Sequence, residues 1–176
     1  NKIEKSINKK TKAILPVHLF GNPCNMNKIK KIAKKYKLKI IEDAAEGIGS
    51  FHRNKHLGTF GDIGIISFNG NKTITTGGGG AILTNNINYA KRARLLCSIG
   101  RQNHPWKYKY TELGYNYRMP NLNAALGCSQ LDKLNYILKE KRKLLSRYKS
   151  AFKKFENIKI FEEPKNSKSN YWIHNI

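Results

Sequence analysis

The chain has 176 residues, 39% of them hydrophobic, which is enough for one ordinary domain with a core of its own. No apolar run reaches the roughly 18 residues a bilayer span requires, and no charged n-region followed by an apolar h-region opens the sequence, so neither a membrane span nor a signal peptide is expected. Lys+Arg 34 against Asp+Glu 11 leave a net charge of +23, but the lysines alternate with apolar residues at helical spacing, so they read as solvated helix faces rather than a nucleic-acid surface.

In chain order, KAILPVHLF at 12–20 begins as a short buried strand and ends in the loop GNPCN. Ile29, Ile32, Ala33 and Tyr36 keep a helical period over 26–37. A strand from Leu38 to Glu42 follows and stops at Asp43 in a turn-rich segment. DIGIISF at 62–68 and GGAILTN at 79–85 are two further strands, and 87–97 is a helix with an arginine-rich face. Residues 101–118 are aromatic and polar without periodicity, as in an ordered loop. From Pro120 to about Phe155 an apolar stripe of leucines and isoleucines predicts one long helix. A smaller unit begins at IKIFEEP, and the chain stops at NYWIHNI, in what reads as a strand. Cys24, Cys97 and Cys128 have no CxxC or metal spacing and are expected to be free thiols in a reducing compartment.

Short apolar strands alternating with helices give an α/β fold with a mostly parallel sheet. In such sheets ligands bind at the carboxyl ends of the strands. That rule selects the loop after His18, the acid Asp43, and the stretch Ser67 to Lys72. Lys72 stands before four glycines, Gly77 to Gly80, in the order opposite to a phosphate-binding Walker loop. A lysine in a crevice binds phosphate or forms a Schiff base. Around pyridoxal phosphate three functions are needed: an amine for the aldehyde, an acid for the ring nitrogen, and hydroxyls for the phosphate. Lys72, Asp43 and Ser67 supply them. Metal binding is not expected, because only Glu42 and Glu46 lie near Asp43.

Four blocks carry a resemblance: PVHLFG at 16–21, IIEDAAEGIGS at 40–50, GTFGDIGIISFNGNKTITTGGGGAILTN at 58–85, and LGYNYRMPNLNAALGCSQL at 113–131. In order and spacing they resemble the DegT-type (StrS/DnrJ-type) sugar aminotransferases, which use pyridoxal 5'-phosphate. The glycine run is similar to that of members acting on legionaminate, bacillosamine or perosamine routes. The resemblance implies an aspartate-aminotransferase-like (fold type I) large domain over 1–119, incomplete, a connecting helix over 120–156, and the start of a small C-terminal α/β domain over 157–176. By position, it makes Lys72 the lysine that bonds the cofactor and shuttles protons. Asp43 matches the pyridinium partner, Glu46 a contact to the ring hydroxyl, and Ser67 a phosphate-binding hydroxyl. Asn116 matches an asparagine reaching the neighbouring subunit's phosphate, which implies a homodimer, and His18 matches a histidine near the cofactor, a candidate substrate contact.

The implied activity is cytoplasmic transfer of an amino group, from glutamate, to a nucleotide-linked keto-sugar for a bacterial surface polysaccharide or glycan. Such enzymes are about twice this length, so the chain alone is expected to be weakly active or inactive. The alternative is a non-catalytic remnant or a basic nucleic-acid-binding protein. A related dehydratase class carries histidine in place of the reactive lysine, and Lys72 argues against it.

Overall fold

A computed structural model describes residues 2–176. In chain order it runs through α1 (Lys2–Ser6), β1 (Ala13–Ile14), a 3-10 turn (Leu19–Gly21), α2 (Met26–Lys35) and β2 (Lys39–Asp43). A small hairpin follows, β3 (Phe51–His52) and β4 (Lys55–His56), then β5 (Ile63–Ser67), β6 (Gly80–Leu83) and α3 (Ile87–Cys97). The remainder is α4 (Asn121–Asp132), α5 (Leu134–Phe152) and β7 (Ser167–Lys168).

The main sheet has the order β1-β2-β5-β6. β1 and β2 run parallel, as do β2 and β5, with Asp43 opposite Ile65. β6 runs antiparallel to β5, with Ser67 opposite Gly80. The α/β architecture with a mostly parallel sheet is therefore present, with one antiparallel strand at its edge.

Parallel neighbours need a crossover, and α2 supplies the one between β1 and β2. Asn25 caps it by accepting the Lys28 N–H. Met26, Ile29, Ile32 and Ala33 fall on one stripe and are buried. Met26, Ile29 and Ala33 pack on Ile40 of β2, while lysines fill the rest of the helix. A second cluster, Ala44, Ile48, Leu57, Ile66 and Ile74, takes in Leu134 and Ile137 from α5. Strand alternation puts Ile40, Glu42, Gly64 and Ile66 on one face, all buried. The opposite face carries Ile41, Asp43, Ile63 and Ile65, and is half-buried to exposed.

Two expectations are corrected. The long helix expected over 120–156 is two helices, because the chain turns at Lys133, whose N–H bonds to the Gln130 carbonyl three residues back. α4 carries no apolar stripe of its own, since Leu122, Leu126 and Leu131 are exposed and only Gly127 is buried, so periodicity gives no signal at the break. The strand expected at NYWIHNI does not form. Instead β7 pairs with the hairpin strand β3, and Ser169, Asn170 and Tyr171 are buried. Arg142 of α5 fastens this segment: it grips Glu163 with both guanidinium nitrogens, donates to the Ser169 carbonyl, and lies over the Tyr171 ring.

Candidate active site

Adjacent parallel strands bring the ends of β2 and β5 to one edge of the sheet. Asp43 closes β2. Its N–H donates to the Pro16 carbonyl and its own carbonyl accepts the His18 N–H, which ties the loop after β1 to the same edge. Its Oδ1 accepts the Ala45 N–H at 3.1 Å, and Oδ2 has no protein partner among the described residues. A carboxylate oxygen kept open at a strand end suits a cationic ring nitrogen.

Ser67 closes β5, and its Oγ accepts the Asn69 N–H. The chain then turns through Asn69 to Lys72, with the Lys72 N–H on the Asn69 carbonyl. The Lys72 amine points to Glu46: Nζ lies 3.5 Å from Oε1, with side-chain exposures of 13% and 20%. Oε2 of the same carboxylate accepts the Phe20 N–H at 2.6 Å. Lys72 is thereby joined to the loop that begins at Asp43. The amine, the open carboxylate oxygen and the Ser67 hydroxyl are a set that fits pyridoxal phosphate.

The glycines serve the turn between β5 and β6. Gly77 and Gly79 take φ of +81° and +112°, a region closed to most side chains. The Gly79 carbonyl accepts the Phe68 N–H as the antiparallel ladder starts.

His18 does not face a substrate crevice. It is 1% exposed, its Nδ1 accepts the Cys24 N–H, and its Nε2–H donates to Glu42 Oε2 at 3.0 Å. Strand alternation turns Glu42 to the face opposite Asp43, where it also accepts the Gly58, Phe60 and Gly61 N–H groups. Burial alone would raise the Glu42 pKa. The hydrogen bonds from His18 and from the Gly61 and Gly58 amides outweigh it and leave the group below the ordinary carboxylate value. The pair is a buried brace beneath the site.

Asn116 is not part of this cluster within one chain. It bridges to Ser98 and lines a cavity with Lys91, Arg94, Arg101 and Arg118, a setting suited to an anion.

Sequence reasoning missed Phe20, Asn170 and Trp172. Asn170 donates through Nδ2 to the Glu46 and Ile48 carbonyls. Trp172 lies with its ring centroid 4.1 Å from Lys72 Nζ. The available signal was the density of polar and aromatic residues in SNYWIH, which is unusual for a plain strand.

The DegT/DnrJ/EryC1/StrS aminotransferase family model matches residues 1–176. GDP-perosamine synthase of Escherichia coli O157:H7 is 41% identical over 174 residues, which cover 99% of this chain and 47% of that protein. The UDP-4-amino-4,6-dideoxy-N-acetyl-beta-L-altrosamine transaminase of Campylobacter jejuni is 38% identical over 165 residues, 92% of this chain and 44% of that one. Among solved structures, Helicobacter pylori PseC, an aminotransferase involved in the biosynthesis of pseudoaminic acid, superposes with a TM-score of 0.93 at 29% identity. It is matched over 98% of this chain and 47% of its own. The chain thus spans about half the length of these relatives, and shares the fold-type-I architecture of the sugar aminotransferases. It belongs to the DegT/DnrJ/EryC1/StrS aminotransferase family.

Proposed function

We propose that this chain carries the lysine-bearing part of a pyridoxal-phosphate-dependent aminotransferase that moves an amino group from glutamate to a nucleotide-linked keto-sugar. Amino sugars for bacterial surface polysaccharide or glycan are the product class. The observation that carries the reading is the Lys72 amine held 3.5 Å from Glu46 in the loop that opens at Asp43. When bound, the cofactor supplies an electron sink for the carbon that gains or loses the amine.

Each residue then has a task of its own. Lys72 would bond the cofactor aldehyde and move a proton at Nζ. Asp43 would hold the ring nitrogen through Oδ2 and keep it protonated. Glu46 orients the amine and would contact the ring hydroxyl of a bound cofactor. The Ser67 hydroxyl donates to the phosphate. Asn116, in its basic cavity, serves the phosphate of a second subunit, and the exposed Trp106, Tyr108, Tyr117 and Leu122 give a homodimer apolar surface to bury. The names of the relatives favour GDP- or UDP-linked sugars, and the compartment is the cytoplasm.

The protein is loaded with pyridoxal phosphate, reduced with borohydride and mapped by mass. The label is expected on Lys72, with loss of the visible absorption in Lys72→Ala. In reverse transfer, with GDP-perosamine or the UDP-linked altrosamine as amine donor and 2-oxoglutarate as acceptor, this chain alone is expected to form little glutamate. A label distributed over surface lysines, with Lys72→Ala unaltered, removes the assignment.

A further inference from the structure

Nothing on its own loop fixes the Lys72 amine. A lysine side chain has four rotatable bonds and about 2 kcal/mol of rotamer entropy to resist being held. The loop behind it ends in four glycines. The contacts that hold Nζ come from elsewhere: the Glu46 carboxylate at 3.5 Å and the face of Trp172, 4.1 Å from Nζ to the ring centroid.

Trp172 is itself held from three directions. Its Nε1–H donates to the carbonyl of Asn71, the residue before the lysine, at 2.6 Å. Its backbone N–H donates to Asn170 Oδ1 at 2.9 Å. Its ring stacks on Phe20, with centroids 6.4 Å apart and planes 27° from parallel. Phe20 in turn gives its N–H to Glu46. The contacts therefore close a circuit: Lys72 to Glu46, Glu46 to Phe20, Phe20 to Trp172, and Trp172 back to Lys72.

Phe20 adds an independent sign that this circuit is built. It has φ +56° and ψ +26°, a left-handed conformation that costs a residue with a Cβ roughly 1 kcal/mol or more. In that conformation both its N–H reaches Glu46 and its ring reaches Trp172.

We propose that Trp172 is a positioning residue for Lys72: its indole face holds the ammonium beside Glu46, and Asn170 and Asn71 fix the indole. The use of such positioning rests on Lys72 being the reactive amine, whereas the contact can be tested without the cofactor. A charged amine over an indole face is attracted by the ring quadrupole, most strongly where water is partly excluded.

The test reads the amine directly. Purified protein free of cofactor is acetylated with a limiting reagent. The Lys72 rate is compared, by peptide mass mapping, with those of the exposed Lys34 and Lys133 in the same molecule. Trp172→Leu is expected to raise the relative Lys72 rate about five-fold, the factor corresponding to an ordinary cation–π contact, and Trp172→Phe, which keeps a ring face, less than about two-fold. An unchanged relative rate in Trp172→Leu overturns the proposal. Should Trp172→Leu fail to fold, fluorescence decides. Trp106 is 87% exposed, so Trp106→Phe leaves Trp172 as the single emitter. Adding Lys72→Ala is then expected to shift the emission maximum, and superimposable spectra overturn the proposal. Because no cofactor is present, failure here is separable from failure of Lys72 to bond pyridoxal phosphate.

Discussion

Glu46 faces Lys72 with one carboxylate oxygen, at 3.5 Å, and holds the Phe20 N–H with the other, at 2.6 Å. The two bonds have different characters and separate by mutation. Glu46→Gln keeps an acceptor for Phe20 and removes the charge beside the amine. The pair is largely shielded from water, and with the Phe20 acceptor kept the urea midpoint is expected to fall by less than in Glu46→Ala. Glu46→Ala also strands the Phe20 N–H and is expected to cost about 1–3 kcal/mol. Equal midpoints for the two variants, in the same titration, would show that the Phe20 bond contributes nothing.

Glu42 is expected to be the costliest acid to change. It is fully buried and accepts four hydrogen bonds, from His18, Gly58, Phe60 and Gly61. A glutamine there turns an NH2 group toward N–H donors, and each buried donor left without an acceptor costs about 1–3 kcal/mol. The pH sign follows from its lowered pKa. Between the folded value and the unfolded 4.5, the unfolded chain binds more protons, so stability is present above 4.5 and is lost as pH falls through the folded value. Thermal melts of Glu42→Gln are expected to be lower at neutral pH and to lack this part of the acid loss.

Much of the frame could be read from the residues, because apolar period and strand length report burial directly. α2, β2, β5 and α3 lie within a few residues of where the sequence puts them, and the turn that carries Lys72 follows β5, the strand beside the one that Asp43 closes. What escaped has a common cause. The hairpin strands β3 and β4 are two residues each, too short for any period. The turn at Lys133 follows a helix whose leucines are exposed, so no apolar period marks where one helix ends and the next begins. Trp172 reaches Lys72 from 100 positions after it in the numbering, and Phe20 stacks on Trp172 from 152 positions before that residue; local patterns do not encode such pairings. The pairing of His18 with Glu42 is likewise invisible in the sequence, where Glu42 stands beside Asp43. Alternation along the strand sends the two acids to opposite faces.

His56 gives the protein a second acid-sensitive contact. Its Nε2 accepts the Gly49 N–H at 2.9 Å and its Nδ1–H donates to the Leu57 carbonyl, so the neutral ring is the form that fits. Burial lowers its pKa from 6.5, against the opposing effects of the Leu57 bond and the Glu42 charge. His52 is shifted the same way, by burial and by Arg53 and His18. A histidine with a depressed folded pKa contributes stability above the unfolded 6.5 and loses it as pH falls below, since the unfolded state then binds more protons. Urea midpoints are expected to decline below pH 6.5 in the wild type and more shallowly in His56→Gln. Parallel profiles in the two proteins would assign the decline to His52 alone.

Asn170 supplies the sharpest test of how the C-terminal segment is seated. Its Nδ2 donates to the Glu46 and Ile48 carbonyls at 2.7 and 2.8 Å, and its Oδ1 accepts the Trp172 N–H. Its own N–H rests on Ser50 Oγ. The room for this side chain comes from Gly21, where an added Cβ would collide with Asn170 Oδ1 and where φ is already +76°. Asn170→Ala leaves two buried carbonyls and one N–H without partners, a loss of about 2 kcal/mol or more when each such group costs roughly 1–3. Asn170→Asp retains the size but puts a carboxylate oxygen where two carbonyls expect donors, so it is expected to be worse than alanine. Gly21→Ala attacks the same seat from the other side and should destabilise as well. The order of urea midpoints, wild type above Asn170→Ala above Asn170→Asp, is the diagnostic. An aspartate variant as stable as the wild type would mean that Nδ2 is not the donor. The grip on the Glu46 loop, and with it the placement of Trp172 over Lys72, would then need another origin.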